Sequence, residues 1–360
     1  MPVLGAIRGT QTNYPYAVAR VQARRARLIP PSEYQKVLKM DVAEITRFIQ
    51  ESDYRREVDE LASRFRGLDL LEAALTVNEE RTFQDVRRLV SGDGARLIDL
   101  WLERHLFENL KTVLRGKAAG ASREELLKDM LLEDLGAYSL FAPMLADDVR
   151  TVDDAIAALD RQGGRGHELA RVLQKLPPGS PLPRLEEALD RYHYAQLVST
   201  LEASKLHGAD KVLEVVRREI DALNLLNAAR WVVAGVGGDF TPYIVPGGRH
   251  LRVGDIVALS RAKDLAQFQE TLGDNAWGPK LADGLAEARA AGRLAPLHAD
   301  VRRELVADLD KLGHSNPLSI IPILLFLIRK HREVVVLRAI ARGKAAGLSE
   351  ARLAELAVVS

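Results

Sequence analysis

Cysteine is absent from the 360 residues, which removes disulfides, thiolate metal sites and thiol nucleophiles and fits a reducing compartment. The cytosol is the expected location. Aromatic residues are scarce at 5% although hydrophobic residues reach 47%, and Ala, Leu, Arg and Glu are abundant, a composition of packed helices. Excess charge of either sign is missing too. With 51 basic and 50 acidic residues the formal net charge is +1, so no whole-protein field draws in nucleic acid or an anionic membrane, and any charge effect is local. Long apolar runs are also lacking. The longest, Leu318 to Ile328, contains Ser319 and Pro322 and falls far short of the roughly 20 residues that cross a bilayer. The first residues hold no apolar core ahead of a small-residue cleavage site, so no signal peptide is read. A soluble protein is expected, one still able to dock on something membrane-bound.

What the chain does have is repetition. Arg115-Gly116-Lys117-Ala118-Ala119-Gly120 recurs letter for letter as Arg342-Gly343-Lys344-Ala345-Ala346-Gly347. Leu110 and Val113 before the first copy match Leu337 and Ile340 before the second, and Ser122 and Leu126 after it match Ser349 and Leu353. A degenerate middle copy begins at Asn224 and runs to Arg230, aligned with Asn109 to Arg115, so the steps from Asn109 to Asn224 to Val336 are 115 and 112 residues. A fainter series, starting at Val42, Val152 and Ala262, gives a period of 110. Self-similarity of this kind means one supersecondary unit used several times, each copy covering its neighbour's exposed face. We read three units, 14–121, 122–237 and 238–360, after an N-terminal segment 1–13.

Apolar spacing is helical almost throughout, as in Leu106, Leu110, Val113 and Leu114, and sustained period-2 alternation is nearly absent. The expected fold class is all-α. Loops are predicted at Ser91 to Gly94, Gly163 to Gly166, Pro177 to Pro183 and Gly235 to Gly248. The hexapeptide reads as a helix stop: Gly120 and Gly347 suit the left-handed residue that closes a helix, while Arg115 and Lys117 complement the negative end of its dipole. Ser122 with Glu125 then forms a capping box for the next helix; after Ser349, Arg352 stands where an acid would be. Asn109, Arg115, Gly120, Asn224, Arg230, Arg342 and Gly347 are therefore markers of the repeat rather than ligand contacts.

Chemistry-bearing motifs fail one by one. Gly116-Lys117 lacks the earlier glycine, the following Ser or Thr and the preceding strand of a phosphate loop. The run from Trp231 to Gly238 lacks the third glycine of a dinucleotide turn, Phe240 standing in its place. His167-Glu168 is followed by Arg171 rather than by the second histidine of a zinc helix, and the eight histidines are otherwise scattered. Glu186, Glu187 and Asp190 lie on a helix face, where solvation or ion pairing is the ordinary role. No G-x-S-x-G is found. We assign no catalytic, cofactor-binding or metal-ligating residue, no cofactor, no small-molecule substrate and no nucleic-acid partner.

Two local features point to contacts. Arg20, Arg24, Arg25 and Arg27, preceded by Arg8, meet no acid before Glu33; a basic face of this kind either borders a packed helix or meets an acidic partner, lipid or nucleic acid. The aliphatics of Leu318 to Ile328 run around the helix, which implies burial on most sides, inside the array or against a partner.

Several segments together are similar to one family. Asn316-Pro317-Leu318-Ser319-Ile320-Ile321-Pro322 leading through Arg329-Lys330-His331-Arg332-Glu333 into Leu337 to Lys344 resembles the C-terminal signature of the C subunit of the archaeal and bacterial V/A-type ATPases, whose eukaryotic counterpart is the d subunit. Asn109-Leu110-Lys111 with Arg115, Leu185 to Arg191 with Tyr192 and Tyr194, Gly247-Gly248-Arg249, and Tyr16 to Arg25 also resemble it. Phe326 and Val336 depart from the family's Tyr and Asn, which is expected to alter packing rather than role. The resemblance implies a non-catalytic central-rotor part of three similar helical units arranged as a funnel about a pseudo-threefold axis. Its partners would be the D and F subunits of the central shaft and the membrane proteolipid (c/K) ring, at the cytoplasmic face, peripheral to the membrane. The competing class is a free-standing helical repeat scaffold that binds a protein or peptide; an enzyme ranks behind both.

Overall fold

The computed structural model describes residues 12–130 and 137–359, and every regular element among them is a helix. The expected all-α class holds. Three long helical hairpins form the frame. Their first arms are Gly67–Leu89, Leu182–Ala203 and Ala295–Ser315. Their second arms are Asp93–Leu102 continued by Arg104–Ala119, then Ala209–Val233, then Ile321–Ala345. Short helices precede each hairpin, among them Val42–Gln50 and Arg55–Leu61, Val152–Arg161 and Gly164–Gln174, and Leu265–Leu272 and Gly278–Ala291.

Short polar side chains start these short helices. Asp41 and Thr151 form capping boxes with Glu44 and Asp154, and Asp264 accepts from the Ala266 and Gln267 amides. This corrects one register: the helix that matches those at Val42 and Val152 begins at Leu265, three residues beyond Ala262, because the cap fixes the start and apolar similarity does not.

The hexapeptide is a helix stop in every copy. Gly120, Gly235 and Gly347 have φ of 72°, 61° and 71°, the left-handed region open to glycine. Beyond each, an amide reaches back five residues: Ala121 to the Gly116 carbonyl at 2.8 Å, Val236 to Trp231 at 3.4 Å and Leu348 to Gly343 at 2.9 Å. Ser122 and Glu125 form the predicted capping box. Ser349 still accepts from the Arg352 amide at 3.4 Å without the reciprocal acid. The basic residues do something other than answer the dipole. Lys117 donates to the Val149 carbonyl at 2.5 Å, and Arg115 reaches across to Glu186 at 2.6 Å.

Four apolar cores hold the frame. At one end the tips of all three hairpins converge with helix Tyr14–Arg25 on a shared core, which includes Trp101, Val216 and the buried stretch from Ile320 to Leu327. The predicted burial of that stretch holds, except that Leu318 stays 62% exposed in the loop before it. Away from the tips each second arm joins the short helices and first arm of the next hairpin. Residues 106–114 pack with 155–189, and residues 222–232 with 256–301. In the third such core Val334 to Ala341 pack with Ile45, Val58 and Leu71, so the last hairpin closes onto the first. Each fully buried Leu or Ile contributes roughly 1.5–3 kcal/mol to that packing. The sequence boundaries at 121/122 and 237/238 fall at helix ends, while the cores run across them.

Candidate functional site

The segments that resemble the family line the walls between hairpins and the seam where the ring closes. In the first wall Arg115 pairs with Glu186 of the next first arm, and in the closing wall Arg342 pairs with Glu72 in the same way. In the middle wall Arg230 donates only to Asn227 of its own helix, at 3.0 Å, and makes no ion pair among the described residues. The side chain facing it there is His298, whose pKa burial and the Arg230 and Arg302 charges push down to about 4. Beside the first wall Lys111 pairs with Asp190 at 2.9 Å. Burial raises the Asp190 pKa despite that lysine. Burial and Asp190 also push neighbouring Glu187 up to about 7.

The remaining marker residues are buried too. Asn109 is 3% exposed. Asn224, fully buried, exchanges two hydrogen bonds with Val245: its Nδ2 donates to the carbonyl at 2.7 Å and its Oδ1 accepts from the amide at 3.0 Å. One turn earlier Asp221 accepts from the amides of His250 and Leu251 at 2.8 and 3.2 Å. A Cβ on Gly248 would lie 2.1 Å from Asp221 Oδ1, which explains Gly247-Gly248: the loop backbone must press against a buried carboxylate. Val336, the third counterpart of Asn224, sits in the closing core and clasps no loop.

The seam contains the C-terminal signature. Lys330 and Glu333 are 2% and 3% exposed and pair at 3.0 Å. Glu333 also accepts from Tyr54 Oη at 2.6 Å and from the Ile29 amide at 2.5 Å, and the Lys330 ammonium lies 3.8 Å from the Tyr54 ring centroid. Such a pair withstands burial only because these partners replace water around both charges. His331 contacts Glu79 through Nδ1 at 2.7 Å, and its ring lies 5.5 Å from that of His105. Burial, with His331 and Arg104 nearby, holds the His105 pKa well below that of a free imidazole.

The predicted basic face divides. Arg24 pairs with Asp85 at 3.1 Å and Arg27 with Asp53 at 3.4 Å, so two of the four arginines tie their helix to the frame. Arg20 and Arg25 are exposed and form no ion pair among the described residues. Arg8 lies outside those residues. Sequence reasoning missed Glu333, Tyr54 and Asp221, because their partners lie 279 and about 30 positions away or in a loop with no pattern of its own. It also missed the role of Gly116 and Gly343: a Cβ there would meet Leu126 Cδ2 at 2.0 Å and Leu353 Cδ2 at 2.2 Å. The signal was present, since glycine and leucine recur together in both outer copies. Among the described residues no cluster of three or more His, Asp or Glu side chains is arranged to hold a metal ion, and no helix is long and apolar enough to cross a membrane.

A closed set of helical hairpins joined by wall ion pairs and a buried polar seam defines a protein whose surfaces contact other proteins. The chain belongs to the ATP synthase (C/AC39) subunit family, whose family model matches residues 17–356. It is 34% identical over 349 residues to the C subunit of the A-type ATP synthase of Haloferax volcanii, covering 97% of this chain and 98% of that protein. It is 33% identical over 350 residues to the C subunit of the A-type ATP synthase of Methanosarcina mazei, covering 97% and 93%. The corresponding protein of Halobacterium salinarum is 33% identical over 349 residues, covering 94% and 95%. The role that goes with this family is that of a rotary ATP synthase subunit.

Proposed function

We propose that the chain is the non-catalytic adaptor of the central rotor in a V/A-type ion-translocating ATP synthase. It joins a shaft made of the D and F subunits to the membrane proteolipid ring and transmits torque, peripheral to the cytoplasmic face of the membrane. The units 14–121, 122–237 and 238–360 form a funnel about a pseudo-threefold axis, with the convergent hairpin tips as its narrow base and the opposite arm ends around its mouth.

The observation that supports this reading best is ring closure. The last hairpin packs on the first through a core of its own, locked by Lys330, Glu333 and Tyr54. An open helical array twists and flexes between neighbouring repeats; a closed one resists a load applied about its centre, as a socket for a turning shaft must. Polar walls suit such a socket, since they rely on paired charges such as Arg115 with Glu186 rather than on titrating catalytic groups.

The test is reconstitution of the full chain with purified D, F and proteolipid subunits. A stable complex with the D and F pair and, separately, with the ring is the expected result. Binding to none of them overturns the proposal.

A further inference from the structure

The convergent end of the molecule carries a surface that the shaft socket does not use. It is built from the first turn of helix Tyr14–Arg25 and the three hairpin tips. Tyr14 donates from Oη to the His207 carbonyl at 2.8 Å, inside the second tip. Asn13 donates to the Leu89 carbonyl at 2.8 Å and accepts from the Ser91 amide at 2.9 Å, in the first. A Cβ on Gly208 would lie 3.0 Å from Tyr14 Oη and 3.6 Å from Ile320 Cγ2, at the base of the third.

From this junction two large apolar side chains project outward. Leu318 is 62% exposed and Tyr16 is 56% exposed, the most exposed of their kind among the described residues. Around them stand Arg20, one turn after Tyr16 on the same helix face, Arg96 in the first turn after the first tip, and Lys205 in the second tip. All three cations are exposed, and none forms an ion pair among the described residues. The neighbouring carboxylates already have partners: Asp85 with Arg24, Asp99 with Arg87 and Glu202 with Arg217. Although the whole chain is nearly neutral, this end has surplus positive charge.

We propose that the convergent end is a lipid-facing surface that engages anionic headgroups. Leu318 and Tyr16 enter the interfacial layer, where a leucine at a loop tip and an amphipathic tyrosine ring are both stabilised. Arg20, Arg96 and Lys205 contact phosphates. The apolar tips and cations come from four separate segments rather than one groove, an arrangement suited to an extended charged interface. This goes beyond the adaptor reading and stands without it.

Co-sedimentation of the full chain with vesicles tests the proposal, using phosphatidylcholine alone and phosphatidylcholine mixed with phosphatidylglycerol. Binding is expected only to the anionic vesicles, weakening as salt is added. Each of Arg20→Gln, Arg96→Gln and Lys205→Gln is expected to lower the partition about five-fold, and Leu318→Ser to lower it without changing the salt slope. Circular dichroism verifies that these surface variants stay folded. No binding to anionic vesicles, or undiminished binding by the triple charge variant, overturns the proposal. Binding to a detergent-solubilised proteolipid ring without binding to vesicles also overturns it, while leaving the adaptor reading intact. Vesicle binding together with failure to bind the shaft and ring supports this surface and removes the adaptor reading.

Discussion

The outer copies of the repeat and the middle copy end their helices with the same backbone geometry but fill the space beside it differently. Where the outer copies have Gly116 and Gly343 covered by a leucine of the following helix, the middle copy has Trp231, whose ring lies 5.2 Å from Phe240 and 5.0 Å from Tyr243. Where the outer walls pair Arg115 and Arg342 with glutamates, the middle wall sets Arg230 beside a neutral histidine. The left-handed glycine is what all three share. Position in the ring is set by the cap, and the residue just inside it decides whether a helix or an aromatic-clamped loop follows.

Breaking this difference in the middle copy has the largest expected effect. Trp231→Gly removes the aromatic contacts without supplying a leucine, and it puts glycine inside a helix; a loss of about 2–4 kcal/mol is expected in urea unfolding. The reverse exchange in an outer copy, Gly343→Leu, drives a side chain into Leu353, at about 1–3 kcal/mol. If Gly343→Leu were neutral, the close leucine contact would not specify the outer copies.

Acid probes the wall and interior histidines. Burial pushes His193 down to about 3 and His298 to about 4, and holds His105 well below its ordinary value. These sites bind protons more weakly when folded than when unfolded, so their contribution is complete above pH ~6.5 and is lost as pH falls toward the folded values. Each histidine costs up to about 1.4 kcal/mol per pH unit in that window. His298→Gln is expected to flatten the slope by one such increment, read from urea midpoints between pH 6.5 and 4.5. Glu187 works in the opposite sense. Its raised pKa makes its contribution complete below about pH 4.5, and that contribution is lost as pH rises through about 7. The smallest effect tests what the copies share: Gly120→Ala, Gly235→Ala and Gly347→Ala are each expected to cost about 1 kcal/mol from left-handed strain, alike in all three.

Much of the fold was legible in the residues because it is local. Helix stops, the Ser122 capping box and the burial after Leu318 depend on neighbours within a few positions. The Ala262 register failed because similarity of apolar letters outranked the N-cap at Asp264. Of the candidate interface, the arginine face was visible as a cluster, but its division was not. Whether Arg24 or Arg20 is tied down depends on Asp85, 61 positions beyond Arg24. Glu333, Lys330 and Tyr54 read as ordinary surface residues until the ring closes over them.

That closure also sets an order of events. Ile29 and Glu333, bonded in the folded protein, are separated by 304 residues, so during synthesis the N-terminal helices emerge long before the arm that completes their core. The seam forms last. Until residues 321–345 arrive, the apolar faces of Ile45, Val58 and Leu71 lack their final cover, and loop closure over this distance makes that last docking step slow compared with the hairpins. A ribosome-bound chain stopped before the third hairpin would therefore be a two-hairpin intermediate with one apolar edge open to chaperones, and the finished protein becomes available for assembly only when the end of the chain has found its beginning.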